Sequence, residues 1–182
     1  MSIILEASAR ILESEGLRSF NTNAIATKAG VSVGSLYQYF PNKDAIVRAL
    51  IGGFEEALND AVMNALLAGR GKGLKARLRL LVRALVIVHY RRTRLNRVLE
   101  AEEERLGSDV EDATFHSIVL ELMKGNGHEA AIPISAATER VTMTILRAVV
   151  DLGLRSGASS KSTEQRAMRA VCGYLFYSGE KY

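Results

Sequence analysis

The most constraining feature of this chain is the segment 22–43, which reads TNAIATKAGVSVGSLYQYFPNK. Thr22 is placed to cap a first short helix, and Gly30 is placed to end it in the left-handed conformation. Ser32 is placed to cap a second helix, which Pro41 ends because the residue before a proline is pushed out of the helical region. Two helices joined by a short turn that contains glycine predict a helix-turn-helix, whose second helix can enter a DNA major groove.

The exposed face of this second helix has side chains suited to DNA. Val33, Gly34, Tyr37 and Gln38 fall in the half of the helix that meets base edges. A glycine inside a helix costs roughly 1 kcal/mol relative to alanine, which favours a close approach of the backbone to DNA at Gly34. Glutamine can bond adenine, and tyrosines can contact phosphates and thymine methyls. An ordinary helical hairpin with surface tyrosines is the alternative interpretation.

The same segment closely resembles the N-terminal domain of the tetracycline-repressor (TetR) family of bacterial one-component transcription regulators. The resemblance covers about the first 50 residues. It implies an all-α homodimer that binds a pseudo-palindromic DNA operator and releases it when a small-molecule effector occupies the C-terminal domain. The matching residues are Ile11, Gly16, Phe20, Thr22, Ile25, Ala26, Ala29, Gly30, Val31, Ser32, Gly34, Leu36, Tyr37, Tyr39, Phe40, Lys43 and Ile46.

The resemblance also implies individual roles. Leu36 and Phe40 would hold the second helix against a core of Ile11, Leu12 and Ile25. Members of the family often have a basic arm before the first helix, whereas Met1-Ser2-Ile3 enters that helix almost directly, so no minor-groove contact is expected here. Phosphate contacts are expected from Thr22, Tyr39 and Lys43, and the DNA-facing set is completed by Val33, Gly34, Ser35, Tyr37 and Gln38.

The rest of the chain has helical periodicity with short breaks and no competing strand pattern, which predicts an all-α fold. A helix-turn-helix domain over residues 1–48 is expected to precede a helical effector-binding and dimerisation domain over 49–182. The segment 125–133 is expected to form a loop, and Ser162 with Gln165 has the spacing of a capping box for the last helix. The remaining helices are predicted at 2–14, 43–69, 74–90, 95–106, 110–124, 135–155 and 163–178.

Apolar stripes on the last two helices suggest a dimer interface. In the family that this chain resembles, these helices pair with their two-fold mates, and reading a palindrome needs two copies. Packing within the chain is the alternative use of both stripes. The predicted interface residues are Val141, Ile145, Ala148 and Leu152 on the penultimate helix and Val171, Tyr174 and Leu175 on the last, beside the small residues Ala167, Ala170 and Ser178.

Charge is distributed unevenly along the chain. Residues 1–50 hold five Lys or Arg against four acids, a weak positive footprint for a DNA-binding domain. Between Arg70 and Arg97 lie ten basic residues and no acid, and an acidic run follows at 100–104. We expect the basic face to be solvated and to pair with that acidic run. An anion site for an acidic effector and an auxiliary DNA contact are the alternatives.

The sequence contains no catalytic or metal-binding pattern. Its three histidines have no cysteine or histidine at ligand spacing, and Cys172 lies in a helical pattern. We therefore expect no enzyme activity, no bound metal and no cofactor. One cysteine fits a reducing cytoplasm, and neither a secretory signal nor a membrane span is recognisable. A helical interaction protein that kept the fold but lost DNA binding is the rival function.

An effector site is expected among the central helices, where an apolar pocket would have a few polar anchors. The sequence does not identify the effector, the operator, or whether the regulator represses or activates, although repression is the expected mode. The candidate contacts are His89, Tyr90, Phe115, His116 and Met143.

Overall fold

A computed structural model describes residues 1–107, 113–124 and 129–177, and these ranges contain nine helices and no strand. The predicted all-α fold is therefore confirmed. The predicted glycine-histidine loop at 125–128, the start of the helix predicted at 110 and the residue Ser178 lie outside the described ranges. The helices are α1 (Ser2–Ser14), α2 (Thr22–Ala29), α3 (Val33–Tyr39), α4 (Lys43–Ala68), α5 (Leu74–Arg91), α6 (Thr93–Leu106), α7 (Ala113–Lys124), α8 (Ala136–Arg155) and α9 (Ser160–Phe176).

Residue contacts divide the chain into two compact units. Unit 1 comprises Met1–Glu56 and Arg92–Val110, and unit 2 comprises Ala57–Arg91 and Glu111–Tyr182. The grouping adds α6 to the helix-turn-helix, whereas the sequence assigned that helix to the second domain. A functional boundary at residue 48 stays a prediction.

Unit 1 is built on one apolar cluster that joins α1, α2, α3, α6 and the first half of α4. Leu36 and Phe40 lie in this cluster with Ile11, Leu12 and Ile25, as the sequence indicated, and α6 contributes Leu95 and Leu99. Burial of a leucine side chain contributes about 1.5–3 kcal/mol, so this core fixes which face of α3 remains outside.

Two arginines attach α6 to the other helices of unit 1 through ion pairs. Arg92, immediately before α6, donates to Glu13 of α1 over 2.7 and 2.8 Å and to Glu6 over 3.2 Å. Near the other end of α6, Arg105 donates to Asp44 of α4 over 2.9 Å. The Arg92 guanidinium holds the pKa of Glu13 below its usual range, because it donates hydrogen bonds to the charged carboxylate.

Unit 2 has a second apolar core to which α5, α7, α8, α9 and the end of α4 contribute. The predicted stripe along α5 is buried here, with Leu74, Leu78, Leu81 and Leu85 nearly inaccessible to solvent. At the end of α8, Gly153 leaves room for two hydroxyls. A Cβ at this position would collide with Thr163 Oγ1 and lie 2.8 Å from the hydroxyl of Tyr90, so only glycine fits.

Two local details differ from the sequence prediction. The cap of α2 is Asn21, whose side chain accepts from Ala24 N, and Thr22 is the first helical residue. The helix α9 begins a turn earlier than predicted, because Ser159 caps it by accepting from Ser162 N at 3.2 Å. The helix predicted over 43–69 agrees with the structure, since α4 is continuous from Lys43 to Ala68.

Candidate DNA-binding face and effector site

The turn between α2 and α3 has the geometry that its residues predict. Gly30 ends α2 with φ 68°, in the left-handed region that favours glycine. Ser32 then caps α3, since its Oγ accepts from Ser35 N at 3.0 Å. The helix ends at Tyr39 because Phe40, which precedes Pro41, is extended with φ −135° and ψ 113°. This turn and the buried pair Leu36 and Phe40 set the orientation of α3.

The opposite face of α3 is open to solvent. Tyr37 and Tyr39 are 49% and 57% exposed, Val33 is 37% exposed, and Gln38 is exposed as well. None of these aromatic and uncharged side chains belongs to the apolar core of unit 1. The face presents phenol, amide and methyl groups of the kinds that contact phosphates and base edges.

Gly34 is also exposed on this face, and no described part of the chain requires a glycine there. A Cβ at residue 34 would meet only Ser32 Oγ, at an ordinary contact distance of 3.7 Å. Its backbone conformation is helical, so alanine would be the more stable choice. The glycine is explained if something outside the chain approaches the backbone at this point.

The other predicted DNA contacts border the same helix-turn-helix. The hydroxyl of Tyr37 lies 3.3 Å from Thr22 Oγ1, so the two hydroxyls form one polar group at the start of α2. Lys43 is exposed at the first turn of α4, which Asn42 caps by accepting from Ala45 N at 2.8 Å. The predicted contact Ser35 is half-buried, and its hydroxyl is 2.8 Å from Ser32 Oγ, so it serves the cap of α3.

Asn21 and Asn42, the caps that position the first turns of α2 and α4, were not predicted from the sequence. Asparagine before a helical run is itself a cap signal, and adjacent candidates such as Asn21 and Thr22 cannot be separated by type. The free backbone N–H groups of such first turns are also where phosphates bind well.

Two of the predicted effector contacts have structural roles in unit 2. Tyr90 donates from its hydroxyl to the carbonyl of Ala158 at 3.1 Å and lies 2.6 Å from Thr163 Oγ1, so it ties α5 to the start of α9. His89 bonds through Nδ1 to the carbonyl of Leu85 at 2.8 Å, and burial lowers the pKa of its ring. Both side chains are therefore occupied within the chain.

The other three predicted contacts lie on α7 and α8. His116 Nδ1 is 2.9 Å and 3.1 Å from the two oxygens of the buried carboxylate of Glu139. Phe115 packs edge-on against the His116 ring, with ring centroids 5.8 Å apart. Phe115 and Met143 both border the apolar core, whereas His116 lines a cavity between α7 and α8.

That cavity is a half-open space of about 230 Å³ between α7 and α8. His116, Ser117, Glu139 and Arg140 provide its polar groups, and Ala113, Leu120 and Ala136 complete its wall. A second cavity of about 300 Å³ lies within unit 1, where Lys43, Asp44, Glu102 and Arg105 meet Leu17, Phe20 and Val47. Within the described ranges, no group of three His, Cys, Asp or Glu side chains is placed to hold a metal ion.

The predicted dimer residues fall into two groups. On α8, Val141 and Leu152 are 42% and 60% exposed, and Ala148 is exposed, so an apolar stripe faces outward there, with Ile145 half-buried at its edge. On α9, the prediction is wrong for Val171 and Leu175. Both are fully buried in the core of unit 2, which leaves no surface for a partner, whereas Tyr174 is half-buried.

The expected pairing of the basic run with the acidic run at 100–104 is not found for the basic residues of α5. In the described part of the chain, no carboxylate lies within ion-pair distance of Lys75, Arg79 or Arg83, and Arg77 is buried, donating to the carbonyl of Met123 at 3.3 Å. Arg92 pairs instead with α1. None of the helices in the described ranges is both long enough and apolar enough to cross a membrane.

Comparison with known proteins agrees with this geometry. Residues 4–50 match the family described as bacterial regulatory proteins, tetR family. Among curated proteins, the chain is 35% identical over 109 residues to the nucleoid occlusion factor SlmA of Vibrio atlanticus, a match covering 57% of this chain and 55% of that protein. SlmA of Aliivibrio fischeri is 35% identical over 113 residues, covering 59% and 57%. The match thus spans little more than half the length of these relatives.

Two solved structures have the same fold along most of their length. A TetR-family transcriptional regulator from Mesorhizobium loti superposes with a TM-score of 0.75 at 17% identity, covering 95% of this chain and 93% of the other. The TetR-like regulator LfrR from Mycobacterium smegmatis, in complex with proflavine, has a TM-score of 0.67 at 19% identity, covering 97% and 96%. At such identities the likeness concerns the fold alone.

Fold and site together define an all-α protein in which a capped, outward-facing helix follows a helix-turn-helix turn. Residues 4–50 match the tetR family of bacterial regulatory proteins, and the chain has the fold of TetR-family transcriptional regulators along most of its length. The members of that family are DNA-binding regulators and not enzymes.

Proposed function

We propose that this protein is a ligand-responsive transcriptional repressor that binds a palindromic DNA operator in the cytoplasm as a homodimer. The observation that carries the proposal is the outer face of α3, where Gly34 has no intrachain neighbour to explain it and Tyr37, Gln38 and Tyr39 are exposed. Val33, Gly34, Tyr37 and Gln38 would meet base edges in the major groove. Thr22, Tyr39 and Lys43 would contact phosphates on either side.

The near-neutral charge of the first 50 residues is compatible with this role. Phosphate contacts can come from hydroxyls and from the N–H groups of helix first turns as well as from lysine and arginine. The Thr22 hydroxyl, 3.3 Å from the Tyr37 hydroxyl at the start of α2, is such a group. Three of the acids in unit 1, Glu6, Glu13 and Asp44, pair with Arg92 or Arg105, which reduces their repulsion of DNA.

The outward apolar stripe of α8 supports the homodimer. Leu152, Ala148 and Val141 recur at steps of four and seven along one side of the helix and are not covered within the chain. A two-fold interface through this stripe would bury it against its own copy. On α9 the exposed Gly173 and the half-buried Ala170 and Tyr174 are better placed to join it than the buried Val171.

For the effector, the structure favours the cavity between α7 and α8. Its volume of about 230 Å³ lies below the roughly 300–1,000 Å³ of typical ligand pockets, so the ligand would be compact. Arg140 would pair with an acidic group on the ligand, and Ser117 would accept or donate one hydrogen bond. We therefore expect small carboxylic acids to raise the melting temperature of the protein, and Arg140→Gln to remove that response.

A role in nucleoid occlusion is the second candidate. It is favoured by the SlmA relatives, because their match runs over 109 residues and so extends well beyond the DNA-binding domain at 4–50. The two functions differ in where the protein sits on the chromosome. A repressor of specific genes needs few operators, placed upstream of those genes, whereas a nucleoid factor would need many sites spread over the chromosome.

Capture and sequencing of genomic fragments by the purified protein tests both candidates. We expect wild-type protein to enrich a small set of fragments upstream of genes, and Tyr37→Ala to enrich none while keeping its helix content. Tyr177→Ala is the matched control, because Tyr177 is an exposed tyrosine outside unit 1, 68% exposed against 49% for Tyr37. Many dispersed sites would favour nucleoid occlusion instead. Failure of the folded wild type to enrich any fragment would leave the interaction-protein function as the better account.

A further inference from the structure

The strongest concentration of charge that the proposed operator contacts do not use lies on α5. Lys75, Arg79 and Arg83 recur every four residues along this helix, and all three are exposed. We refer to these three residues as the α5 basic row. We propose that the α5 basic row binds the phosphate backbone of DNA, independently of the recognition helix and without sequence preference.

The spacing of the row suits a chain of phosphates. Four residues of an α-helix advance about 6 Å and rotate by about 40°, so the three charges follow a shallow line on one side of α5. Double-stranded DNA carries one negative charge per about 1.7 Å of its axis, so a line of cations at this spacing can neutralise several phosphates at once. Arg70 and Lys72, both exposed, precede the row in the chain.

The members of the row have no carboxylate partner in the described part of the chain, unlike the arginines that form ion pairs there. Arg10, Arg92, Arg105 and Arg155 each have a carboxylate oxygen within 3.2 Å. In the described part of the chain neither Arg79 nor Arg83 has one.

The described neighbours of α5 do not neutralise the row either. Lys75 lies 4.8 Å from the centre of the Phe176 ring, which leaves its charge uncompensated. Glu129 does reach α5, but its carboxylate accepts from the backbone N–H of Leu74 at 2.7 Å, at the start of the helix.

Nucleic acid is the occupant that these features favour. An anionic membrane surface would call for several apolar side chains beside the cations, and the exposed large apolar residue of α5 is Ile87 alone. A small acid is held best in a concave site, and neither of the two cavities described above includes a residue of the row. A sequence-independent backbone contact also explains why the basic excess lies outside the helix-turn-helix.

The inference extends the proposed DNA binding to a second element, so its test removes the contribution of the recognition helix first. In a Tyr37→Ala background, Arg79→Gln with Arg83→Gln would be compared with Lys124→Gln plus Lys161→Gln, which changes the net charge equally at exposed positions on other helices. Fluorescence anisotropy with a random duplex of about 30 base pairs would be measured between about 50 and 200 mM salt.

We expect the row variant to bind more weakly than the control at low salt. Its plot of log affinity against log salt should be shallower by up to about 1.8, since each lost phosphate contact removes about 0.9 from the slope. Equal affinities and slopes for row variant and control would overturn the inference. The inference would also be overturned if the row variant lost binding to vesicles of anionic lipid while its binding to DNA stayed unchanged. If the operator proposal itself is wrong, the Tyr37→Ala variant will bind every duplex as the wild type does. This result distinguishes failure of the operator proposal from failure of the inference about the row.

Discussion

Replacing Gly34 by alanine should raise the stability of the fold and weaken DNA binding. The added Cβ would meet Ser32 Oγ at 3.7 Å and nothing closer, so the fold can accept it without strain. Alanine is favoured over glycine in helices by roughly 0.5–1 kcal/mol, and the position of Gly34 in the first turn of α3 puts the gain near the lower value. At about 2–4 °C per kcal/mol for a chain of this size, the melting temperature should rise by about 1–2 °C.

Operator affinity should move in the opposite direction. If the backbone at residue 34 lies against DNA, a methyl group there forces α3 outward and weakens its base contacts, and a loss of about 1.4 kcal/mol would already be tenfold in affinity. Differential scanning fluorimetry and anisotropy with an operator duplex would measure the two effects on the same sample.

Gly53→Ala is the control, because Gly53 is helical and exposed with open space around it, but lies on α4. It should raise stability by about 1 kcal/mol and leave affinity unchanged. Unchanged operator affinity in Gly34→Ala would refute the argument that DNA explains this glycine.

Three further predictions concern the scaffold and the dimer. Tyr90→Phe should destabilise the protein by about 1–3 kcal/mol in thermal unfolding, because the buried hydroxyl of Thr163 loses its partner. Leu152→Arg should turn the dimer into a monomer in analytical ultracentrifugation, because it places a charge in the apolar stripe of α8. Arg92→Met should lower the free energy of unfolding by about 0.5–1 kcal/mol at pH 7. Because Arg92 lowers the folded-state pKa of Glu13 from 4.5, this contribution is present above that value and is lost as the pH falls through the lowered pKa.

These outcomes can each be contradicted. A Tyr90→Phe variant as stable as wild type would mean that the hydroxyl pair is not a structural tie. Leu67→Arg on α4, another exposed leucine, serves as the control for Leu152→Arg and should stay dimeric. A monomeric Leu67→Arg variant, or a dimeric Leu152→Arg variant, would mean that the stripe of α8 is not the dimer interface. A cost of Arg92→Met that stayed constant from pH 7 to pH 3 would mean that packing, and not the ion pair, is responsible.

The helix-turn-helix could be predicted from the sequence because its signals are local. Gly30, Ser32 and Pro41 each act on the backbone of their immediate neighbours, and the structure has all three where the sequence indicated. The error at Asn21 and Thr22 is also local, since both residue types cap helices and only the three-dimensional turn decides between them.

Features that depend on distant residues could not be predicted in the same way. The ion pair of Arg92 with Glu13 spans 79 positions, so the inclusion of α6 in unit 1 left no signal in either segment. Periodicity groups Val171 and Leu175 on one face of α9, but it does not say whether that face meets the same chain or a partner. The contact of His116 with Glu139 likewise depends on how α7 meets α8, 23 positions apart.

The central claim, that α3 reads a DNA sequence as part of a dimer, is tested most directly by selection of random duplexes on the purified protein at moderate salt, followed by sequencing. We predict enrichment of a palindrome whose half-sites lie about one helical turn, roughly 34 Å, apart, since two-fold related recognition helices must enter successive major grooves. If a folded, dimeric preparation enriched no sequence, the account of α3 as a recognition helix would be contradicted.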